Sequence, residues 1–281
     1  MYPLILRKLN FFSKIAKEWI NVKARIWISE AKMEEFFKSQ NTFFILAIGR
    51  SGTLFLSQLL NQANETHIRH DPLTIDFKAN QDAYHDEKKA FKYIRKFRKN
   101  EIYLNVKDKK VRLYGEVNSI LRRHAMALKQ EFPNCTLIHL IRDGRDYVRS
   151  AYSRIVMTNK DLNARRMFPL KGDPWEQEWK DFDKFKKLCW YWQIENKFLK
   201  NHVDLTVKFE DILSDYQYFK NNVLDVLKIS VSKDIWKREV RTPKNVTLKH
   251  KLPHWKNWDE QKLQAFDKIC GEVMRENNYD I

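Results

Sequence analysis

Apolar residues in this chain fall into short unbroken runs, each followed by a stretch of helical period. The run TFFILAI at 42–48 precedes Leu56, Leu59 and Leu60, and the run CTLIHLI at 135–141 precedes a second helical pattern that reaches about Met157. Runs of six or seven apolar residues predict fully buried strands, and the three-to-four spacing behind them predicts helices. The same reading gives a short strand ending at His70 before Pro72, a charged helix over 81–99 and a strand near Leu113–Val117. It continues with a helix over 119–131, a polar stretch to Asp173, a long aromatic helix to about Lys200 and a strand in DLTVKF. Strands alternating with helices predict an α/β fold, a three-layer domain with a central parallel sheet flanked by helices. Ligands in such sheets bind where strands turn into helices at their carboxyl ends. Ahead of this domain (41–281), residues 1–40 read as an amphipathic helical extension with Leu6, Phe11, Ile15, Trp19 and Ile20 on one side.

Composition narrows the partners. With 281 residues, 43% of them hydrophobic, and only 6 Gly and 7 Pro, the chain suits one large domain without low-complexity segments. The formal charge of +17 favours an anionic partner: nucleic acid, a phosphorylated cofactor, an acidic acceptor or a membrane surface. No RRM, KH or zinc pattern is present, so nucleic acid is not expected. Cys135, Cys189 and Cys270 have the spacing of neither a metal site nor a disulfide framework, which leads us to expect a reducing compartment and no metal. No run of eighteen apolar residues occurs, and the first twenty residues lack the plan of a signal peptide. The expectation is a cytoplasmic protein. Peripheral attachment to an anionic membrane is open through residues 1–30, in the first twenty-five of which Arg7, Lys8, Lys14, Lys17, Lys23 and Arg25 stand against Glu18. Packing of the same helix on the domain is the competing reading.

Anion chemistry concentrates at two turns. In IGRSGT, Gly49 and Gly52 let the backbone approach a ligand, successive N–H groups and a helix N-terminus attract negative charge, and Arg50, Ser51 and Thr53 add donors. A nucleoside-triphosphate loop would need a longer segment and a lysine before the threonine. In LIHLIRDGRDYVRSAYS, Arg142 ends the strand and Ser150 follows eight residues later, with Arg145 and Arg149 between them and Asp143 and Asp146 placed to brace or cap. Two such turns suit a ligand with two separated anionic groups.

Together the segments GRSGTLFLSQLL and FPNCTLIHLIRDGRDYVRSAYS resemble the sulfotransferase superfamily that uses 3′-phosphoadenosine 5′-phosphosulfate (PAPS), with supporting likeness in YGEVNSILRRHAMALKQEFP, VKFEDIL and LPHWKNW. Arginine in the first loop is more like the bacterial, carbohydrate and protein-tyrosine branches. The resemblance implies a P-loop-like fold in which Arg50, Ser51, Gly52, Thr53 and the Leu54 N–H cradle the 5′-phosphosulfate. It implies that Arg142 and Ser150 hold the 3′-phosphate, with adenosine 3′,5′-bisphosphate as product and no metal required. Phe209 falls where the family often places an aromatic near adenine, and Lys249, His250 and Lys251 are candidates for a closing loop. Arg50 would stabilise charge on the bridging oxygen. The acceptor proton would go to Asp71, where the family more often has Glu. Its neighbour His70 and Glu116 are alternatives.

The acceptor is a hydroxyl or amine, with a carbohydrate or lipid favoured. Arg165 and Arg166 lie in the loop beside it, and Trp175, Trp179, Trp190, Tyr191 and Trp192 suit sugar faces, lipid tails or the core. The rival class is a protein that binds anions, membranes or RNA without catalysis.

Overall fold

The computed structural model describes residues 2–23, 29–161, 166–242, 244, 247 and 249–280, with 2–9, 12, 22 and 23 as backbone only. The side chains of Leu6, Arg7, Lys8 and Lys23, and all of Arg25 and Arg165, lie outside the described residues.

Five parallel strands form one sheet: β1 (Asn41–Leu46), β2 (Thr66–His70), β3 (Leu113–Asn118), β4 (Cys135–Ile141) and β5 (Leu205–Lys208), in the order β2-β3-β1-β4-β5. Phe43 through Ile48 are buried, which explains the unbroken apolar run: β1 is the central strand, covered on both faces. Thr42 pairs with Tyr114 of β3 on one side and with Cys135 of β4 on the other. After β1 the chain builds the β3–β2 side, then crosses to β4 and β5. The order therefore reverses between β1 and β4, where an open α/β sheet leaves a crevice.

The helices are α1 (Tyr2–Lys23), α2 (Glu30–Ser39), α3 (Thr53–Leu60), α4 (Ile75–His85), α5 (Glu87–Tyr93), α6 (Lys99–Val106), α7 (Ala125–Glu131), α8 (Gly144–Tyr152), α9 (Lys184–His202), α10 (Phe209–Ser214), α11 (Tyr216–Phe219), α12 (Asp225–Leu227), α13 (Lys233–Val240) and α14 (Glu260–Glu276). On one face of the sheet, Leu56 and Leu60 of α3 pack with Phe43, Ile45, Val223 and Trp236. On the other, Phe37, Ile94 and Leu128 close over Phe44 and Tyr114, and α8, α9 and α14 share a third apolar cluster.

Several boundaries differ from the periodicity for local reasons. The charged helix at 81–99 is two segments. Asp86 stops α4 and caps α5 through the Lys88 N–H at 3.0 Å, and a π turn at Ile94–Arg98 carries α5 into α6. The helix expected from Ser119 begins as a 3₁₀ turn at Leu121–His124. The helix after β4 ends at Tyr152, before Met157 adopts a left-handed backbone (φ 55°). The aromatic helix starts only at Lys184, where Asp183 caps it.

In α1, Ile15 and Phe11 pack against Leu73, Ile75 and Phe97, while Lys14, Lys17 and Ile20 face outward. Among the described residues no helix is long and apolar enough to cross a membrane.

Candidate functional site

The crevice between β1 and β4 is where both basic turns open. After β1 the chain turns through Arg50 (φ 76°) and Gly52 (φ 85°), both left-handed, and enters α3. Gly52 is needed twice over. A side chain there would be strained by its φ, and its Cβ would stand 2.0 Å from the Phe209 ring. The N-cap residue, Gly52, has no side chain to cap α3, which suits its first-turn N–H groups to an anion.

The turn after β4 is fixed from three directions. The Asp143 carboxylate accepts the Arg145 N–H at 2.8 Å, Glu210 accepts the Asp143 N–H at 3.0 Å, and the indole N–H of Trp192 donates to the Arg142 carbonyl at 3.0 Å. Burial raises the Glu210 carboxyl above its usual range, against the lowering effect of the Asp143 N–H. The two turns are joined directly: Arg142 Nη1 donates to the Arg50 carbonyl at 2.9 Å, while Arg50 Nε donates to Ser150 Oγ at 3.1 Å and its Nη2 to Thr247 Oγ1 at 3.3 Å. Burial, then the nearby Arg154 and Arg142 charges, lowers the pKa of the Arg50 guanidinium from its ordinary value. Crowded cations of this kind gain most from an anion.

The resulting cleft has a volume of about 540 Å³. Of the residues expected from the sequence, it is lined by Arg50, Gly52, Thr53 and Leu54 from the first turn, Arg142 and Ser150 from the second, and His70, Asp71, Phe209 and His250. Ser51 is fully buried beside it. Lys249 and Lys251 are exposed and do not line it. Lys244 and Thr247 of the same loop do, which shifts the loop's contribution a few residues toward the N-terminus. Ser119, Asp146, Arg149 and His254 also line the cleft, and the sequence reading had not singled out Ser119, Lys244, Thr247 or His254 as site residues.

Glu116 is displaced from the role considered for it. It is fully buried, does not line the cleft, and is bound to Arg98, Tyr114 and Asn118. It braces Arg98. Despite burial, which works the other way, Arg98 and Arg69 keep its pKa below the usual carboxylate value.

At the end of β2, His70 Nε2 lies 2.9 Å from Thr53 Oγ1 of the first turn and 3.5 Å from the Asp71 carboxylate. Asp71 has a left-handed backbone (φ 39°) just before a proline, and both its oxygens are held by Ser119, one by the N–H and one by Oγ, each at 2.6 Å. Strain of this kind costs about 1–3 kcal/mol and persists only where neighbours enforce it. Among the described residues, the two basic turns also carry buried polar atoms without a hydrogen-bond partner: Ser51 Oγ, Arg142 Nε and Arg149 Nε. Such groups are expected to find partners, and an oxyanion supplies them. The arrangement offers donors for two anionic groups and, beside Thr53, an imidazole with a carboxylate.

The aromatic helix is mostly core. Trp190 and Trp192 are buried, and Trp190 donates to Asp173 at 3.1 Å. Trp175 and Trp179 pack against the same cluster and are only partly buried. Arg145 stacks under Trp255 of the LPHWKNW stretch at 4.1 Å, and Arg166 pairs with Asp82 at 2.6 Å.

A family model described as "Sulfotransferase family" matches residues 42–233. Among solved structures, the chain is similar to the sulfotransferase STF9 from Mycobacterium avium, with 11% identity over 92% of this chain and 82% of that one and a TM-score of 0.53. It is also similar to mouse sulfotransferase SULT7A1 complexed with PAP, with 14% identity, 89% and 91% coverage and a TM-score of 0.45. No match was found among curated proteins.

Proposed function

The chain belongs to the sulfotransferase family, and from that premise we propose that it transfers a sulfuryl group from PAPS to a hydroxyl or amine acceptor, a carbohydrate or lipid being the favoured class. The observation that carries this reading is the hydrogen bond between the two basic turns. It brings Arg50, Arg142 and Ser150 to one cleft wall, with unpartnered donors on Ser51, Arg142 and Arg149. This donor set fits a nucleotide with phosphate-type groups at both ends of its ribose.

In the proposed reaction, the acceptor oxygen or nitrogen forms a bond to sulfur as the bond between sulfur and the 5′-phosphate oxygen breaks. The acceptor loses its proton, and adenosine 3′,5′-bisphosphate leaves. The first-turn N–H groups of α3 and the Arg50 guanidinium stabilise negative charge on the departing phosphate. Arg142 and Ser150 hold the 3′-phosphate, and the Phe209 ring gives the adenine an apolar wall. Asp71 takes the acceptor proton, with its carboxylate oriented by Ser119 and His70 beside it. Like phosphoryl transfer, such a reaction needs positioning and charge stabilisation more than covalent help. The exposed Lys14, Lys17 and Ile20 of α1 support an anionic membrane surface as a place of work.

The test is binding by calorimetry. Arg142→Ala should weaken adenosine 3′,5′-bisphosphate by roughly 10–150-fold, the equivalent of losing about 1.5–3 kcal/mol of charge-assisted contact, and weaken adenosine 5′-phosphate far less, by only what loss of the Arg142 bond to the Arg50 carbonyl costs the first turn. Equal losses for both nucleotides would remove Arg142 from the 3′-phosphate, and absence of binding to the wild-type chain would remove the donor altogether.

A further inference from the structure

The turn that carries Asp71 is held from a second side, by the N-terminal helix. Helix α4 begins four residues after Asp71, and its N-cap residue Thr74 makes no capping hydrogen bond of its own. The first acidic residue inside α4, Asp76, is fully buried and engaged with Tyr93 and Arg98, so it does not serve the helix end. The cap comes instead from α1. One oxygen of Glu18 accepts the Thr74 N–H at 3.0 Å and the other accepts the Ile75 N–H at 2.8 Å. Both contacts span more than fifty residues of sequence, and they sit beside the packing of Ile15 and Phe11 on Leu73 and Ile75.

Asp71 needs such support. Its backbone is left-handed, the following Pro72 restricts it further, and both oxygens of its carboxylate are held by Ser119, which lines the cleft with it. Ser119 fixes the side-chain end of this turn, and Glu18 fixes the backbone end.

We infer that Glu18 is a positioning residue for the candidate base. α1 thereby forms part of the active-site frame, because the Glu18 carboxylate holds the 71–75 turn in the geometry that keeps Asp71 on Ser119. This rests on the proposed role of Asp71, while the structural half of the inference stands on the turn alone. A small displacement of a reacting group costs turnover steeply. It leaves the donor wall, built from β1 and β4, untouched.

The experiment compares the full chain with Glu18→Ala, Glu18→Gln, Asp71→Asn and the double variant Glu18→Ala/Asp71→Asn. Release of adenosine 3′,5′-bisphosphate from PAPS is followed with the best of a panel of sugar and lipid alcohols. Amide hydrogen exchange is measured on the same proteins. Glu18→Ala should lower kcat roughly tenfold to a hundredfold, with the affinity for adenosine 3′,5′-bisphosphate within about twofold of wild type. Glu18→Gln, which keeps one acceptor oxygen, should fall between. Adding Glu18→Ala to Asp71→Asn should cost nothing further, since a residue that acts through Asp71 has no effect once Asp71 is disabled. In exchange, the Ser119 amide should lose protection in Glu18→Ala along with Thr74 and Ile75. Multiplicative losses in the double variant, or an unchanged Ser119 amide, would overturn the inference. If Glu18→Ala does not fold, Glu18→Gln carries both readouts. If the wild-type chain transfers no sulfuryl group, the functional proposal falls, and the Ser119 amide still decides whether Glu18 holds the turn.

Discussion

Replacing Gly52 with alanine tests the centre of the cleft through stability alone. Two terms add. A left-handed backbone at φ 85° costs an L-residue about 1–2 kcal/mol. The new Cβ would stand 2.0 Å from Phe209 Cε2 and 2.4 Å from Cδ2 and Cζ, so the ring must move by more than an ångström. The ring is packed edge-on to Phe55 at 5.9 Å and lies under the Arg142 guanidinium at 5.8 Å, so it must break these contacts and swing into the cleft. Overpacking of this kind costs about 1–3 kcal/mol. With an unfolding entropy of about 0.6 kcal/mol/K for a chain of this length, the sum of about 2–5 kcal/mol lowers Tm by roughly 3–8 °C. Gly172→Ala is the internal control, because its φ is 89° but nothing lies within 4 Å of the added Cβ. That variant should lose only the backbone term, about 2–3 °C. Differential scanning calorimetry of both proteins reads the difference. Equal losses would mean that the Phe209 ring is not seated on Gly52, and the wall assigned to the adenine would go with it.

Four further outcomes follow from the same geometry. Asp71→Asn should reduce turnover by about 10²–10⁴ with nucleotide affinity retained. Glu116→Gln should act on folding instead, with a loss of about 3–5 kcal/mol in urea unfolding, because Arg98 would lose a buried partner; an inactive but fully stable Glu116→Gln would refute that division. Burial pushes Asp76 up to about 7 and pulls His124 and His139 down to about 3 and about 4. A carboxyl whose folded pKa is raised favours folding most below its unfolded value near 3.8, and this advantage is lost as pH rises toward 7. Histidines with depressed folded values favour folding fully above about 6.5, and lose that advantage as pH falls toward 4. The slopes oppose each other, so Asp76→Asn should make stability rise more steeply between pH 4 and 6.5 than in the wild type; an unchanged slope in pH-dependent denaturation would contradict the assignment. Finally, Lys14→Glu/Lys17→Glu should abolish co-sedimentation with phosphatidylserine vesicles and leave nucleotide binding intact, whereas retained sedimentation would exclude this face of α1 as the contact.

What could be read from the sequence was whatever is local in the chain. Each basic turn is one continuous segment, so the strand, the glycine, the arginine and the following helix are visible together. The central strand announced itself by burial on both faces. Glu116 was ambiguous because a carboxylate near a strand end looks the same whether it meets solvent or Arg98, and Arg98 lies on a different element. Ser119 and Thr247 were missed for a related reason: a single hydroxyl carries no pattern, and their value comes from Asp71 and Arg50, which lie far away in sequence. The aromatic stretch was left open between ligand and core. Folding gave two of its indoles structural tasks, with Trp192 anchoring the Arg142 carbonyl. The helical breaks at Asp86 and Asp183 are caps whose signal was present but overridden by the charge and aromatic periodicity around them.

The pairing of β1 with strands made much later has a consequence for biosynthesis. FFILAI leaves the ribosome long before either neighbour exists: β3 starts at Leu113 and β4 ends at Ile141. At translation rates of about 5–20 residues per second, the most apolar strand of the protein waits roughly 4–14 s with both edges unpaired and roughly 5–20 s before its second neighbour is complete. Six residues of high β-propensity without charge or proline form the kind of segment that joins its own copies when left exposed. Soluble yield should therefore depend on elongation rate and on chaperones that shield nascent chains, and supplying such a chaperone should recover more protein than any change at the surface.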